Sequence, residues 1–299
     1  MRTSFPTKYL GLPLTVRRLQ KSNFQPLLEK ATSKLAGWHG RHLTQAGRVC
    51  LTKSVLSSLP VYLLSVLKAP KDILDALDEA RKKFLWAGDR TLTGGKCKVN
   101  WTKYGMPKEN GGLGILNLER FARALRLRWL WHEWVSPEKA WVGTKTPCDD
   151  TDGLLFAACT AISVGDGNRT SFWHSGWLQG CRPKDIAPNL FKITRPKNRT
   201  VEATLQRHTW IRDIRRAEGL ALVHVHEFFK LWGMLRNAQL HQNQEDQIKW
   251  KLTKTGEYTA ASAYKAQFIG NVKAPKVQRI WRAWAAPKCK FFAWLVTQN

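Results

Sequence analysis

Acidic residues are scarce in this sequence. Its 299 residues hold 22 Asp and Glu against 49 Lys and Arg, a formal net charge of +27. After Glu257 there is no acid at all, while Lys265, Lys273, Lys276, Arg279, Arg282, Lys288 and Lys290 follow. The first 71 residues carry twelve Lys and Arg and one acid, Glu29. Such one-sided segments repel themselves unless an anion neutralises them, so they read as nucleic-acid surfaces. The net charge also exceeds the few units that solubility asks for.

Long apolar runs are missing as well. The longest, around residues 59–67, lies between Pro60 and Pro70, short of the ~18 residues of a membrane span. Met1-Arg2-Thr3-Ser4-Phe5-Pro6 lacks the apolar stretch of a signal peptide. The composition thus favours an intracellular protein with a polyanionic partner and no membrane, and leaves the nucleus open. The six cysteines, at 50, 97, 148, 159, 181 and 289, form no C-x-x-C and have no His at finger spacing. That excludes the common zinc signatures, and reduced, mostly buried thiols are expected.

Catalytic signatures are absent too. Gly94-Gly95-Lys96 is not a phosphate loop, because position 90 is Arg and Cys97 stands where Ser or Thr would hold magnesium. No nucleophile elbow occurs. Asp149, Asp150 and Asp152 are the one tight acidic cluster, in a Pro-flanked stretch where such residues cap turns. His39 and His42 suit a phosphate contact or plain exposure. His224 and His226 alternate as on a strand, without a third ligand nearby, and read as structural.

What is present is a core. Hydrophobic residues make up 43% of the chain and fifteen are Trp, large rings that need packing partners. Residues 5–14 read as a strand and turn. Phe24, Leu27, Leu28, Ala31, Leu35 and Trp38 fall on one helical stripe over 23–38, with Ser22 and Gln25 at capping-box spacing. Thr44 is an N-cap candidate for a helix to about 58. Another helix starts after Asp72, with Arg81, Lys82 and Lys83 towards its end and Gly88 beyond it. Residues 88–114 are loop-rich, and a strong helix is predicted over 118–135. Residues 161–173 read as a hairpin turning at Gly165-Asp166-Gly167-Asn168. A second hairpin is predicted near 248–257, then a helix over 260–268. The predicted fold class is mainly α with small β-hairpins, an α+β arrangement.

In order, several segments resemble the reverse transcriptase polyprotein of plant non-LTR (LINE-type) retrotransposons. Lys8-Tyr9-Leu10-Gly11-Leu12-Pro13-Leu14 looks like the primer grip at the end of the palm. Leu43-Thr44-Gln45-Ala46-Gly47-Arg48 with Lys53-Ser54-Val55-Leu56 looks like the thumb signature, and Phe84-Leu85-Trp86-Ala87-Gly88 like the close of the next helix. Val99-Asn100-Trp101, Pro107-Lys108, Gly111-Gly112-Leu113-Gly114, Gly165-Asp166-Gly167, Phe172-Trp173 and Trp177 follow in family order. His174 and Ser175 stand where the family often carries an acid. Trp250, Gly256-Glu257-Tyr258, Ser262-Ala263-Tyr264, Ile280-Trp281, residues 286–292 and Trp294-Leu295 resemble the first half of the reverse transcriptase zinc-binding domain.

The resemblance implies a palm-end segment over 1–18 and a helical thumb-like bundle over 19–90. It implies a connector over 91–175 and a truncated zinc-binding-like region over 176–299. The family's catalytic aspartates would lie upstream of residue 1, and its zinc ligands beyond Asn299. The chain is therefore expected to be a non-catalytic fragment or degenerate copy, without zinc or magnesium, whose segment from about Trp250 is poorly anchored. RNA and DNA, as template and primer, are the implied partners, together with the absent polymerase palm. Lys8, Arg17, Arg18, Lys30, Lys34, Arg41, Arg48 and Lys53 are expected to meet phosphates, and Tyr9 to support the primer end. A rival reading from another class is a protein–protein or structural module with exposed Trp anchors.

Overall fold

The computed structural model describes residues 7–14, 19–38, 40–88, 97–214 and 221–298. They form two units. One takes residues up to Trp129, Lys145–Cys148 and everything from Tyr264; the other takes Leu130–Thr144 and Asp149–Ala263. As expected, the fold is mainly α. Its sheets, among the described residues, are two antiparallel pairs.

The first unit opens with a hairpin, β1 (Thr7–Tyr9) and β2 (Leu12–Leu14), with Lys8 opposite Pro13. Its two central residues, Leu10 and Gly11, both have positive φ, which matches the twist of the strands they join. Helix α1 (Gln25–Gly37) buries Phe24, Leu27 and Ala31 on the predicted stripe. The expected Ser22 capping box does not form. A 3₁₀ turn, Lys21–Phe24, precedes α1, and the Asn23 side chain accepts from the Gln20 N–H instead. Thr44 does cap α2 (Gln45–Leu51), accepting from the Gly47 N–H at 3.2 Å. A single π turn, Thr52–Leu56, continues it. Then come α3 (Val61–Val66) and α4 (Lys71–Ala87), closed by Gly88 in the left-handed conformation.

Leu64, Ile73, Leu74 and Leu77 join α1 in a core with Leu118 and Ala122 of α6 (Leu118–Val135). The short α5 (Trp101–Tyr104) lies between α4 and α6 in the chain. Arg81 departs from expectation by turning inward. It is 2% exposed and donates to Asp78, Ser57 and the Leu116 carbonyl.

In the second unit, α7 (Asp150–Cys159) leads into β3 (Thr160–Ser163). The predicted hairpin over 161–173 does not close on itself. After α8 (Pro183–Ile186), α9 (Pro188–Ile193), α10 (Val201–Leu205), α11 (Thr209–Arg212) and α12 (Leu222–Leu235), strand β4 (Gln247–Trp250) returns to pair with β3, Thr160 opposite Trp250. The reason is Asp246. Its buried carboxylate accepts from the N–H groups of Gly165, Gly167, Arg169 and Thr170 and from the Thr170 hydroxyl, at 2.7–3.1 Å. The predicted turn is thus wrapped around a distant carboxylate, which carries β4 to β3. The hairpin predicted near 248–257 is reduced to a tight turn after β4, in which the Trp250 N–H donates to the Gly256 carbonyl at 2.7 Å.

His224 and His226 lie on helix α12 rather than on a strand. Glu227, Leu231 and Leu235, spaced four apart, are its buried residues. Glu227 accepts from the N–H groups of Asn189 and Leu190, both at 2.9 Å, and so caps α9.

Helix α13 (Ala260–Ala266) leads the chain back to the first unit, which α14 (Pro275–Arg282) and α15 (Pro287–Val296) complete. The expectation of a poorly anchored end from about Trp250 is not met there. Val277, Phe291 and Trp294 lie in one core with Val49, Leu85, Trp86, Tyr104 and Leu113, and Trp294 donates its indole N–H to the Gly111 carbonyl at 2.9 Å. Apolar burial anchors this segment. The cysteines also differ from expectation: Cys50, Cys97, Cys181 and Cys289 are exposed and Cys159 is buried. Cys50 and Cys289 lie on the outer faces of helices whose inner faces carry Val49 and Phe291.

Candidate nucleic-acid interface

The nine residues expected at the interface fall into different situations. Arg17 and Arg18 lie outside the described residues, as does the side chain of Arg41. Lys8 and Tyr9 are exposed on β1. The hairpin that carries them is tethered by Tyr62 of α3, whose hydroxyl donates to the Leu10 carbonyl at 3.0 Å.

Lys30 and Lys34 are one turn apart on α1, both exposed, along the edge of the stripe that buries Leu27 and Ala31. Like charges at this spacing repel, by roughly 0.2–0.5 kcal/mol in an isolated helix. An anion spanning both ammoniums would reverse that cost.

Arg48 is placed differently. Its guanidinium donates to the Gly40 carbonyl at 2.9 Å and to the Trp86 carbonyl at 3.2 Å. It thereby satisfies a carbonyl that the end of α4 leaves without a helical partner. Gly40 and Gly88 make the joint possible. A Cβ on Gly40 would stand 2.5 Å from the Gly88 carbonyl oxygen, and one on Gly88 2.7 Å from Arg48 Cζ. Gly40 and the signature residues Arg48 and Gly88 therefore meet at one point, and their contacts there are structural.

Lys53 is partly engaged. Its ammonium donates to the Leu113 carbonyl. Burial, reinforced by the nearby Lys108 and opposed by Cys50, pulls its pKa from 10.5 down to about 8. Two lysines that the sequence reading did not single out stand with it. Lys108 and Lys290 line the same cavity of about 240 Å³, against Trp281 and Phe291. The run without acids after Glu257 was the available signal for Lys290, and the quoted Pro107-Lys108 segment that for Lys108.

The second unit has its own basic cleft, a cavity of about 520 Å³ lined by Glu133, Trp134, Arg169, His174, Arg182 and Lys184, among others. Burial first, then Lys184, Arg182 and Lys197, lowers the His174 pKa. Most of its cations serve the fold: Arg182 is paired with Asp185 at 2.6 Å and Arg169 donates to the Trp134 carbonyl.

The acidic trio makes a cap. Asp149 is the N-cap of α7 and accepts from the Asp152 N–H at 2.8 Å, while Asp152 accepts from the Asp149 N–H at 3.2 Å. Among the described residues no group of three or more His, Cys, Asp or Glu is placed to hold a metal ion, and no helix is long and apolar enough to cross a membrane.

An exposed basic face on a helical core is what known proteins can be compared with. The chain is similar to a plant protein. That relative, from Arabidopsis thaliana, carries the provisional name ribonuclease H protein. It is 27% identical over 318 residues, covering 95% of this chain and 50% of the relative. The chain thus spans about half the length of the curated relative it matches. No family profile matches the chain, and no solved structure does.

Proposed function

We propose that this chain is a nucleic-acid-binding part of a plant LINE-type retrotransposon reverse transcriptase, and that its basic, thumb-like first unit holds template and primer. The observation that carries the reading is the lysine pair of α1. Phe24, Leu27 and Ala31 are buried, and Lys30 and Lys34 stand exposed one turn apart along the edge of that stripe in a chain of net charge +27. The order of the family segments and the similarity to the Arabidopsis protein over 95% of this chain support it.

From the relative's name we take nucleic acid as the class of partner, and not hydrolysis. Hydrolysis and polymerisation of nucleic acid in this family class depend on carboxylates that converge on metal ions. Asp149 and Asp152 are spent on a helix cap. The role proposed for this chain is therefore binding, with any catalytic palm supplied from outside it.

The test is a titration of single-stranded RNA across salt with the full chain. Each phosphate contact releases counterion, giving a log–log slope of about −0.7 per contact on single strands and −0.9 on duplex DNA. If roughly five cations engage, the slope on single strands is about −3.5. Replacing Lys30 and Lys34 together by Gln reduces its magnitude by about 1.4. Sequence preference is small, because phosphate contacts position without specifying. A flat salt dependence, or no binding at low salt, refutes the reading. It would favour a protein-interaction module instead, for which the fully exposed Trp284 and the exposed Phe292 would be anchors.

A further inference from the structure

The three lysines around Trp281 are unusual in their company. Lys53 comes from the π turn after α2, Lys108 from the loop after α5, and Lys290 from α15. The cavity they line holds Ala46, Val49, Leu113, Trp281, Pro287 and Phe291 besides, and no Asp or Glu. Lys108 places its ammonium 5.1 Å from the centre of the Trp281 ring. Lys290 donates to the Trp281 carbonyl at 3.4 Å. Gly114 brings the other two lysines close: a Cβ there would lie 3.4 Å from Lys108 Cγ and 3.8 Å from Lys53 Nζ.

Three like charges gathered on a partly apolar cavity raise the energy of the unfolded-to-folded step unless something neutralises them. Neutral donors and carbonyls do this only in part. Lys53 has three N–H donors, of which the Leu113 carbonyl takes one. The indole N–H of Trp281 is buried with no acceptor among the described residues. The cavity thus has surplus donors and surplus positive charge, and lacks an acceptor that is negative.

We infer that this cavity is a binding site for a phosphate group, held by Lys53, Lys108 and Lys290. Its volume, about 240 Å³, is below the roughly 300–1,000 Å³ of pockets that enclose drug-sized ligands. It suits an inorganic phosphate or pyrophosphate, or the phosphate of a nucleic-acid strand whose base and sugar stay outside. The nucleic-acid source rests on the reading above; the anion site itself does not.

Competitive acylation of the full chain, read lysine by lysine by mass spectrometry, tests the site with inorganic pyrophosphate as the probe. Saturating pyrophosphate slows the labelling of Lys53, Lys108 and Lys290 at least fivefold and leaves the exposed Lys254 unchanged. Lys53→Gln and, separately, Lys290→Gln raise the pyrophosphate concentration needed for half-protection at least tenfold, and Lys254→Gln does not. Equal protection of all lysines, or none at the three, overturns the inference. So does unchanged half-protection in both variants; two variants on different elements keep the result readable if one fails to fold. Single strands with and without a 5′-phosphate then separate the sources. Competition by the phosphorylated strand alone assigns a strand end, and equal competition by both assigns the backbone. If pyrophosphate protects and neither strand competes or binds, the anion site stands and the nucleic-acid reading falls.

Discussion

At the scale of single residues, the buried charges decide most. Asp246 accepts five hydrogen bonds from the loop over 165–170. Burial pushes its pKa up, but the bonds from Thr170, Gly165 and Gly167 outweigh that and leave it below the ordinary value. The unfolded chain then binds the proton more readily, so this contribution to stability is present above the ordinary carboxylate range and is lost as pH falls through the lower folded value. Asp246→Asn keeps the shape and loses charge-assisted bonds. It should lower stability at neutral pH by about 2–3 kcal/mol, measured by urea denaturation, and should flatten the acid limb of the stability profile. Lys53 has the same sign in a higher pH window. With a folded value of about 8 against 10.5, the unfolded chain carries more protons between those pH values, so stability rises with pH through that window. Denaturant midpoints at pH 7.5 and 9.5 should show wild type gaining on Lys53→Met at the higher pH; an unchanged difference contradicts the assigned shift.

Among the elements, the joint between α2 and the end of α4 is closely packed. Gly88→Ala would place a side chain at φ +68 and against Arg48, costing at least about 1–2 kcal/mol. Arg48→Ala would strip the Gly40 and Trp86 carbonyls of a charged donor, costing about 2 kcal/mol. Thermal melts measure both. The salt slope of RNA binding should hardly move in Arg48→Ala, since the guanidinium is already committed. This element also shows what the sequence could reveal. The helix of α4, its Gly88 stop and the Thr44 cap are local patterns, and each is where the spacing predicts it. The role of Arg48 was not legible, because its acceptors lie 8 and 38 residues away. The same holds for the strand over 160–163. A strand there was expected from the hairpin turn at 165–168, but its partner was chosen by Asp246, some eighty residues on. The basic face of α1 could be read from periodicity; the lysine cavity, assembled from three distant segments, could not.

For the molecule as a whole, the first unit is discontinuous in sequence, and its second core depends on α14 and α15. Trp294→Ala should cost about 3–5 kcal/mol, read by denaturation of the full chain. Removing residues 275–299 should leave Leu85, Trp86 and Tyr104 uncovered and the product aggregation-prone in size-exclusion chromatography. Elution of that truncated chain as a stable monomer with an unchanged melt would contradict the assigned core. The arrangement bears on how the chain is made. During synthesis from the N-terminus, the cluster of Phe24, Leu64, Ile73 and Leu77 can close early, but Tyr104 must wait for Val277, Phe291 and Trp294. Roughly 170 residues separate Tyr104 from Val277, which at about 5–20 residues per second is a delay of roughly 10–35 s. For that interval a half-built aromatic surface stands open on the ribosome. A holding chaperone that shelters Trp86 and Tyr104 until the last helix emerges would then govern how much of this protein a cell accumulates.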